Sequence, residues 1–214
     1  MEDASPNSNA QPAPGARRAL LQRIGLADGT LPLGGNWYPE DKLLEAVLDL
    51  IDALVPRQVL ILGGGLSVTV LARAMHACGE IWMIEHDPQI IDVTQDMLAR
   101  VGPHAPVHVV EAELQEYDKH NLWYDRHVMV SVPDNIDLMF IDGPPHFCGR
   151  TPRYPAAPEL FHRLAPTGCV VLDKAWRVKE KKALMRWETE FPQFHQTRLK
   201  RGGGAIMLSA SKHN

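Results

Sequence analysis

The sequence predicts an open, doubly wound α/β sheet of seven strands, mostly parallel and finished by an antiparallel hairpin. Three observations carry this. Apolar, largely β-branched runs recur at residues 59–62, 81–84, 107–110, 138–141 and 169–172, separated by segments with helical apolar spacing. The first run meets Gly63, Gly64 and Gly65, and a helical pattern begins straight after them. At the far end, residues 194–199 and 205–208 flank Lys200-Arg201-Gly202-Gly203-Gly204, a glycine-bearing connection suited to a hairpin.

Taken in order, residues 1–15 carry three prolines and no periodic apolar face, so they cannot offset their own ordering entropy. We set a disordered tail at residues 1–17 and a single domain at 18–214, with residues 17–24 suited to a short helix. A Gly/Pro-rich loop, residues 29–38, ends in Trp37 and Tyr38, two aromatics suited either to the core or to covering a bound substrate. Residues 39–55 form a helix on the stripe Leu43, Leu44, Val47, Leu48, Ile51 and Leu54, and Pro56 stops it. After the first strand and the glycines, Ser67 is the expected N-cap of a helix bearing Val68, Leu71, Ala72 and Met75. Residues 88–100 are the helix after the second strand.

Residues 117–130, rich in His, Trp and Tyr without clear period, read as a short helix and a loop. Gly143-Pro144-Pro145 stops the fourth strand. Residues 153–164 read as a helix despite Pro155 and Pro158, and Pro166-Thr167-Gly168 turns into the fifth strand, closed by Asp173. Residues 178–191 form a last amphipathic helix.

A chain of 214 residues holds one full α/β domain and not two comfortable ones. Its net charge of −4 gives no global pull toward nucleic acid or an anionic membrane. From Asp173 onward, however, ten Lys/Arg stand against four Asp/Glu, which leaves room for an anionic small molecule near that end. Cys78, Cys148 and Cys169 are odd in number and show no CxxC spacing, which argues against disulfides and zinc and for a reducing compartment. With no signal-peptide core and no bilayer-length apolar run, the expected location is cytoplasmic. A homo-oligomer is compatible with these bounds.

The site follows from the fold. In an open α/β sheet, ligands bind at the carboxyl ends of the strands, and a glycine turn there lets them approach the backbone. Glu85 closes the second strand about twenty residues beyond the glycines, where nucleotide-binding folds place an acid for the ribose hydroxyls. Glu113, past the third strand, is placed to meet an adenine edge, and Asp142, ending the fourth, faces the same crevice.

Three segments carry a family resemblance: VLILGGGLSVTVLAR, IWMIEHDPQII, and DLMFIDGPPHF with LAPTGCVVLDKAWR downstream. Together with the order of elements they resemble the class I S-adenosylmethionine-dependent methyltransferases, of Rossmann-like fold. The IDGPP motif and the GxGxST-like loop (Gly63, Gly65 and Ser67, with Val68 in the threonine position) look like a bacterial small-molecule branch. The resemblance implies S-adenosyl-L-methionine as cofactor and a small-molecule acceptor, with oxygen as the expected methylated atom. It implies that Gly63, Gly64, Gly65 and Ser67 line the methionine part, that Glu85 and His86 meet the ribose, and that Ala112 and Glu113 border the adenine. Asp142 then lies near the sulfonium and the acceptor, with His146 and Lys174 as further catalytic candidates and Trp37, Tyr38 and Arg177 as substrate contacts. Two departures stand out. Ile61 replaces an acid the family often has two residues before the first glycine. Lys174 follows Asp173 where metal-dependent members keep a second oxygen ligand, so the expectation is that no metal is used. Two other readings stay open: an aminopropyltransferase of the spermidine synthase type, and a non-catalytic binding module on the same fold.

Overall fold

The computed structural model describes residues 14–32, 39–75 and 79–210 of the chain. Helix α1 (Pro14–Arg23) and helix α2 (Asp41–Leu54) precede strand β1 (Gln58–Leu62). Helix α3 (Leu66–Ala74), strand β2 (Glu80–Glu85), helix α4 (Pro88–Arg100) and strand β3 (Val107–Glu111) complete the first half. Strands β4 (Leu114–Asp118) and β5 (Asn121–Tyr124) then form a separate antiparallel pair. Strand β6 (Ile136–Ile141), helix α5 (Ala156–Leu160), strand β7 (Leu164–Leu172), helix α6 (Val178–Glu190) and strands β8 (His195–Arg198) and β9 (Ile206–Ser209) follow.

The main sheet has seven strands in the order β3-β2-β1-β6-β7-β9-β8. The pairs from β3 through β7 are parallel, and β9 runs antiparallel to both β7 and β8. Strand β1 lies between β2 and β6, so strand order reverses there, and sheets of this topology take ligands in the crevice beyond the carboxyl ends of such strands.

Why the central strands read as continuous apolar runs is visible in the packing. Val59 and Ile61, Leu138 and Phe140, and Cys169 and Val171 face a core built with α1, α2, α3 and α4. The alternate residues Leu60 and Leu62, Met139 and Ile141, and Val170 and Leu172 face a second core with Trp123, Tyr124, Leu160 and Trp187. Both faces are covered, as parallel sheets require. Helix α4 starts at Pro88, with the Asp87 carboxylate accepting from the Gln89 amide at 2.9 Å. Among the described residues no helix is long and apolar enough to cross a membrane.

Three expectations need correction. Residues 117–130 are not a helix: they complete the β4–β5 hairpin and end in a short 3-10 turn, Val128–Ser131. Trp123 and Tyr124 bury their rings against the sheet, which outweighs the weak local pattern. Residues 153–164 are mostly not one helix, because Pro155 and Pro158 confine α5 to five residues; a 3-10 turn, Phe161–Arg163, follows, and β7 begins already at Leu164. Finally, the expected tail at residues 1–17 falls mainly outside the described residues, but α1 begins at Pro14. Its Arg17 is buried in an ion pair with Asp41 at 2.6 Å, which ties α1 to α2.

Candidate active site

The glycine turn is built by backbone geometry rather than by side chains. Gly63 has φ of 105° and donates to the Ile84 carbonyl at 2.9 Å. A Cβ there would stand 3.2 Å from the Gly143 nitrogen and 3.6 Å from the Asp142 Cβ, so the turn touches the loop after β6 directly. Gly65, with φ of 90°, is the residue on which α3 starts, and its amide donates to Thr94 Oγ1 at 2.7 Å. Gly64 serves differently from expectation. A Cβ on it would meet Ile90 Cγ2 at 2.7 Å and Thr94 Oγ1 at 3.0 Å, so its bare Cα makes room for α4 rather than for a ligand. Ser67 is not the cap: because Gly65 takes the left-handed start, Ser67 falls inside α3, fully buried, and its Oγ has no hydrogen-bond partner among the described residues. Gly63→Ala is expected to cost about 1–3 kcal/mol of stability, because alanine is strained at this φ. Chemical denaturation measures the cost, and an unchanged midpoint would show that the turn tolerates side chains.

Glu85 locks this turn to β2. Its Oε2 accepts from the Gly64 amide at 2.8 Å, and Oε1 accepts from the His86 and Asp87 amides at 2.6 and 3.0 Å. The His86 Nδ1 atom also lies 2.6 Å from Oε1. Burial pushes the Glu85 pKa up, but the His86 side chain and the two amides overcome this and hold it below the usual range. Oε2 thus carries one hydrogen bond and keeps acceptor capacity toward the crevice. On the next strand over, the buried Ala112 donates its amide to the Glu85 carbonyl at 2.8 Å, while Glu113 is exposed and its carbonyl accepts from Asp125.

Across from Glu85, Asp142 follows β6 and Asp173 follows β7, with their carboxyl groups in side-chain contact and Lys174 beside both. Its Nζ is 2.9 Å from Asp173 Oδ2 and 3.7 Å from Asp142 Oδ1. Lys174 holds a left-handed φ of 52°, which a non-glycine residue rarely adopts and which accompanies this placement. Arg153, buried, lies 3.6 Å from Asp142 Oδ1, and it donates to the backbone carbonyls of Asp142 and Asp173, the latter at 2.9 Å. It is a strut between the two loops. Burial pushes the Asp142 pKa up to about 6; Lys174 pulls it down, Asp173 pushes it up and Arg153 pulls it down.

This raised value has a stability signature. An aspartate whose folded pKa lies above its unfolded value of 3.8 binds its proton more tightly when folded, so stability falls as pH rises through about 6. The wild type is therefore expected to gain melting temperature relative to Asp142→Asn as pH drops from 7.5 to 5. Calorimetry at both pH values checks this, and a constant gap would mean that Asp142 titrates normally.

The remaining candidates lie around this centre. His146 is exposed, and burial, Arg177 and Lys179, in that order, lower its pKa. No hydrogen bond or ion pair joins its ring to Asp142 or Lys174 among the described residues. Arg177 is half-buried at the start of α6, its guanidinium 5.6 Å from the Trp176 ring centroid. Trp37 and Tyr38 lie outside the described residues. Sequence reading missed two groups here. Arg153 gave no signal in its proline-rich surroundings. Tyr124, fully buried, belongs to the unforeseen hairpin, and its hydroxyl lies where a Cβ on Gly143 would be.

Comparison with known proteins places this geometry in context. A family model described as "Methyltransferase domain" matches residues 60–175, which is more than half of the chain. Comparison with curated proteins finds no match. Among solved structures, an SAH-bound methyltransferase from Podospora anserina is 13% identical with a TM-score of 0.62, covering 95% of this chain and 91% of its own. An O-methyltransferase from Bacillus cereus in complex with SAH is 16% identical with a TM-score of 0.60, covering 94% and 93%. The O-methyltransferase TomG from Streptomyces achromogenes, in complex with SAM, is 18% identical with a TM-score of 0.51, covering 94% and 92%. At these identities the shared property is the fold.

Proposed function

The chain belongs to the methyltransferase-domain family, and from that membership we propose that it transfers a methyl group from S-adenosylmethionine to an oxygen of a small-molecule acceptor, without a metal ion. The observation that carries the reading is the meeting of three features at one sheet edge. These are the glycine turn, the Glu85 carboxylate bonded to its Gly64 amide, and Asp142 within 3.6 Å of the position a Gly63 side chain would take.

The residues present fit such a cofactor. Gly63 leaves its side of the crevice bare, and Glu85 Oε2 has capacity left for a ribose hydroxyl. Glu113 is exposed beside the buried Ala112 for an adenine edge, and His86 borders the ribose acid. Ile61 is buried in the sheet, so the cofactor's amino group finds no acid on β1. When bound, S-adenosylmethionine supplies a methyl group on a positively charged sulfur. The chain's own contribution is to align the acceptor and to manage its proton. Asp142, with its pKa raised to about 6, is ionised at neutral pH yet basic enough to take a proton from an acceptor hydroxyl. Lys174, beside it, stabilises negative charge developing on that oxygen.

Two finer points belong to the same proposal. The lysine ammonium lies against both Asp142 and Asp173, where a divalent cation would need oxygen ligands, and its charge would repel the ion. Arg177 and Lys179 lie close enough to depress the His146 pKa, and together with Lys174 they favour an acceptor bearing negative charge. We place the activity in the cytoplasm and its acceptor among small molecules rather than nucleic acids or lipids. The test is incubation of the full chain with methyl-labelled S-adenosylmethionine and a panel of phenols and hydroxy acids, with and without EDTA. The expected result is labelled methyl ether or ester in equal yield with EDTA. Turnover that requires added magnesium would refute the metal-free mechanism, and label on nitrogen alone would refute the acceptor atom.

A further inference from the structure

The β4–β5 hairpin buries a polar atom beside the Gly63–Gly143 contact that finds no partner among the described residues. The Tyr124 side chain is 1% exposed, and its hydroxyl has no hydrogen-bond partner among the described residues. Buried tyrosine hydroxyls are normally paired, because an unmatched donor loses its hydrogen bonds to water without replacement. The ring is well packed, edge-on to Trp123 at 5.0 Å and to His86 at 6.3 Å between centroids. A phenylalanine would fill this place as well, and no packing requirement calls for the oxygen.

Its position, by contrast, is specific. Gly143 has no side chain where the hydroxyl lies, and any Cβ there would overlap it. Gly143 in turn abuts Gly63, at 3.2 Å from the place of a Gly63 Cβ. The titratable groups near enough to act on the hydroxyl are Glu85, Arg153, Cys148 and Asp142. Neither flanking carboxylate accepts from it among the described residues. The hydroxyl therefore lies at the Gly63–Gly143 contact, with the ribose acid Glu85 and the proton-accepting Asp142 among its electrostatic neighbours.

We propose that the Tyr124 hydroxyl hydrogen-bonds the ribosyl and 5′-sulfur part of the bound nucleoside cofactor, which makes the hairpin tyrosine a ligand contact. The proposal rests on the methyltransferase reading above. It explains why the hydroxyl is left unpaired within the chain and why Gly143 stands opposite it. It also assigns the β4–β5 hairpin a role in completing the site.

The test is calorimetric titration of the full chain, wild type, Tyr124→Phe and Glu85→Gln, with S-adenosylhomocysteine and with methylthioadenosine. Methylthioadenosine keeps the nucleoside and the sulfur but lacks the amino-acid end. Tyr124→Phe is expected to bind both ligands about five- to tenfold more weakly, while its ligand-free melting temperature stays level or rises, because an unmatched hydroxyl has been removed. Affinities within twofold of wild type for Tyr124→Phe, alongside lost binding in Glu85→Gln, would overturn this contact and leave the methyltransferase reading standing. A loss confined to S-adenosylhomocysteine would move the contact to the amino-acid end and overturn the assignment. A lowered ligand-free melting temperature would make the hydroxyl a packing element. Failure of the wild type to bind either ligand would remove both readings together.

Discussion

Glu85→Ala is expected to weaken S-adenosylhomocysteine binding by about 10- to 100-fold and to destabilise the ligand-free protein as well. The binding loss follows from removing a charged acceptor of ribose hydroxyls, a contact of roughly 1.5–3 kcal/mol, with each 1.4 kcal/mol a factor of ten. The stability loss follows from the three amides that Glu85 accepts, those of Gly64, His86 and Asp87. Leaving buried donors without acceptors costs about 1–3 kcal/mol each where water cannot reach them, and every kcal/mol lowers Tm by about 2–4 °C in a chain of this size. Glu85→Gln separates the two effects. Its carbonyl oxygen still serves the His86 and Asp87 amides, so Tm should recover in part while affinity stays low. Normal affinity in a folded Glu85→Gln protein would reduce Glu85 to a turn-holding residue. The pKa direction adds a check. Because Glu85 is held below its usual range, its stabilisation is complete above pH 4.5 and is lost as pH falls through its folded pKa, so the alanine variant should lose less stability than wild type in that range.

Lys174→Ala is expected to reduce methyl transfer by about 100-fold or more, the scale of a lost acid–base or charge-stabilising group. Lys174 is the largest influence holding the Asp142 pKa down, so its removal should move the acid limb of the pH–rate profile above its starting value near 6. The variant also leaves Asp142 and Asp173 without the ammonium that neutralises them. Magnesium added to the variant should not restore activity, because two carboxylates alone, with the buried Arg153 guanidinium 3.6 Å from Asp142 Oδ1, lack the ligand number an octahedral ion needs and face a repelling charge. Rescue by magnesium would show that the lysine merely displaces a metal.

What the sequence revealed divides along physical lines. Four of the five parallel strands were legible because each is largely buried on both faces, so its residues form an apolar run whichever way they point; β3, at the sheet edge, is half exposed and shows only through Val107, Val109 and Val110. The glycine turn, Glu85 and Asp142 were legible because each sits at the end of such a run. The β4–β5 hairpin was not. Leu114–Asp118 is half exposed and mostly polar, and Lys119-His120 gives no glycine, proline or asparagine to mark the turn. Its stability comes from Trp123 and Tyr124 packing on distant strands. Arg153 was equally silent, since its partners lie 11 and 20 residues away along the chain. Gly64 shows a subtler failure: the residue type was read correctly as needed, but the need comes from Ile90 and Thr94 on α4, not from a ligand.

The crevice between the glycine turn, Glu85 and Asp142 is expected to hold the nucleoside and sulfur of S-adenosylmethionine and of its demethylated product. Isothermal titration of the full-length protein with S-adenosylhomocysteine in EDTA tests it most directly. Saturable binding of one ligand per chain is expected, unchanged when magnesium replaces EDTA and weakened at least tenfold by Glu85→Ala. No binding heat at millimolar ligand, from protein whose melting transition shows it to be folded, would contradict it.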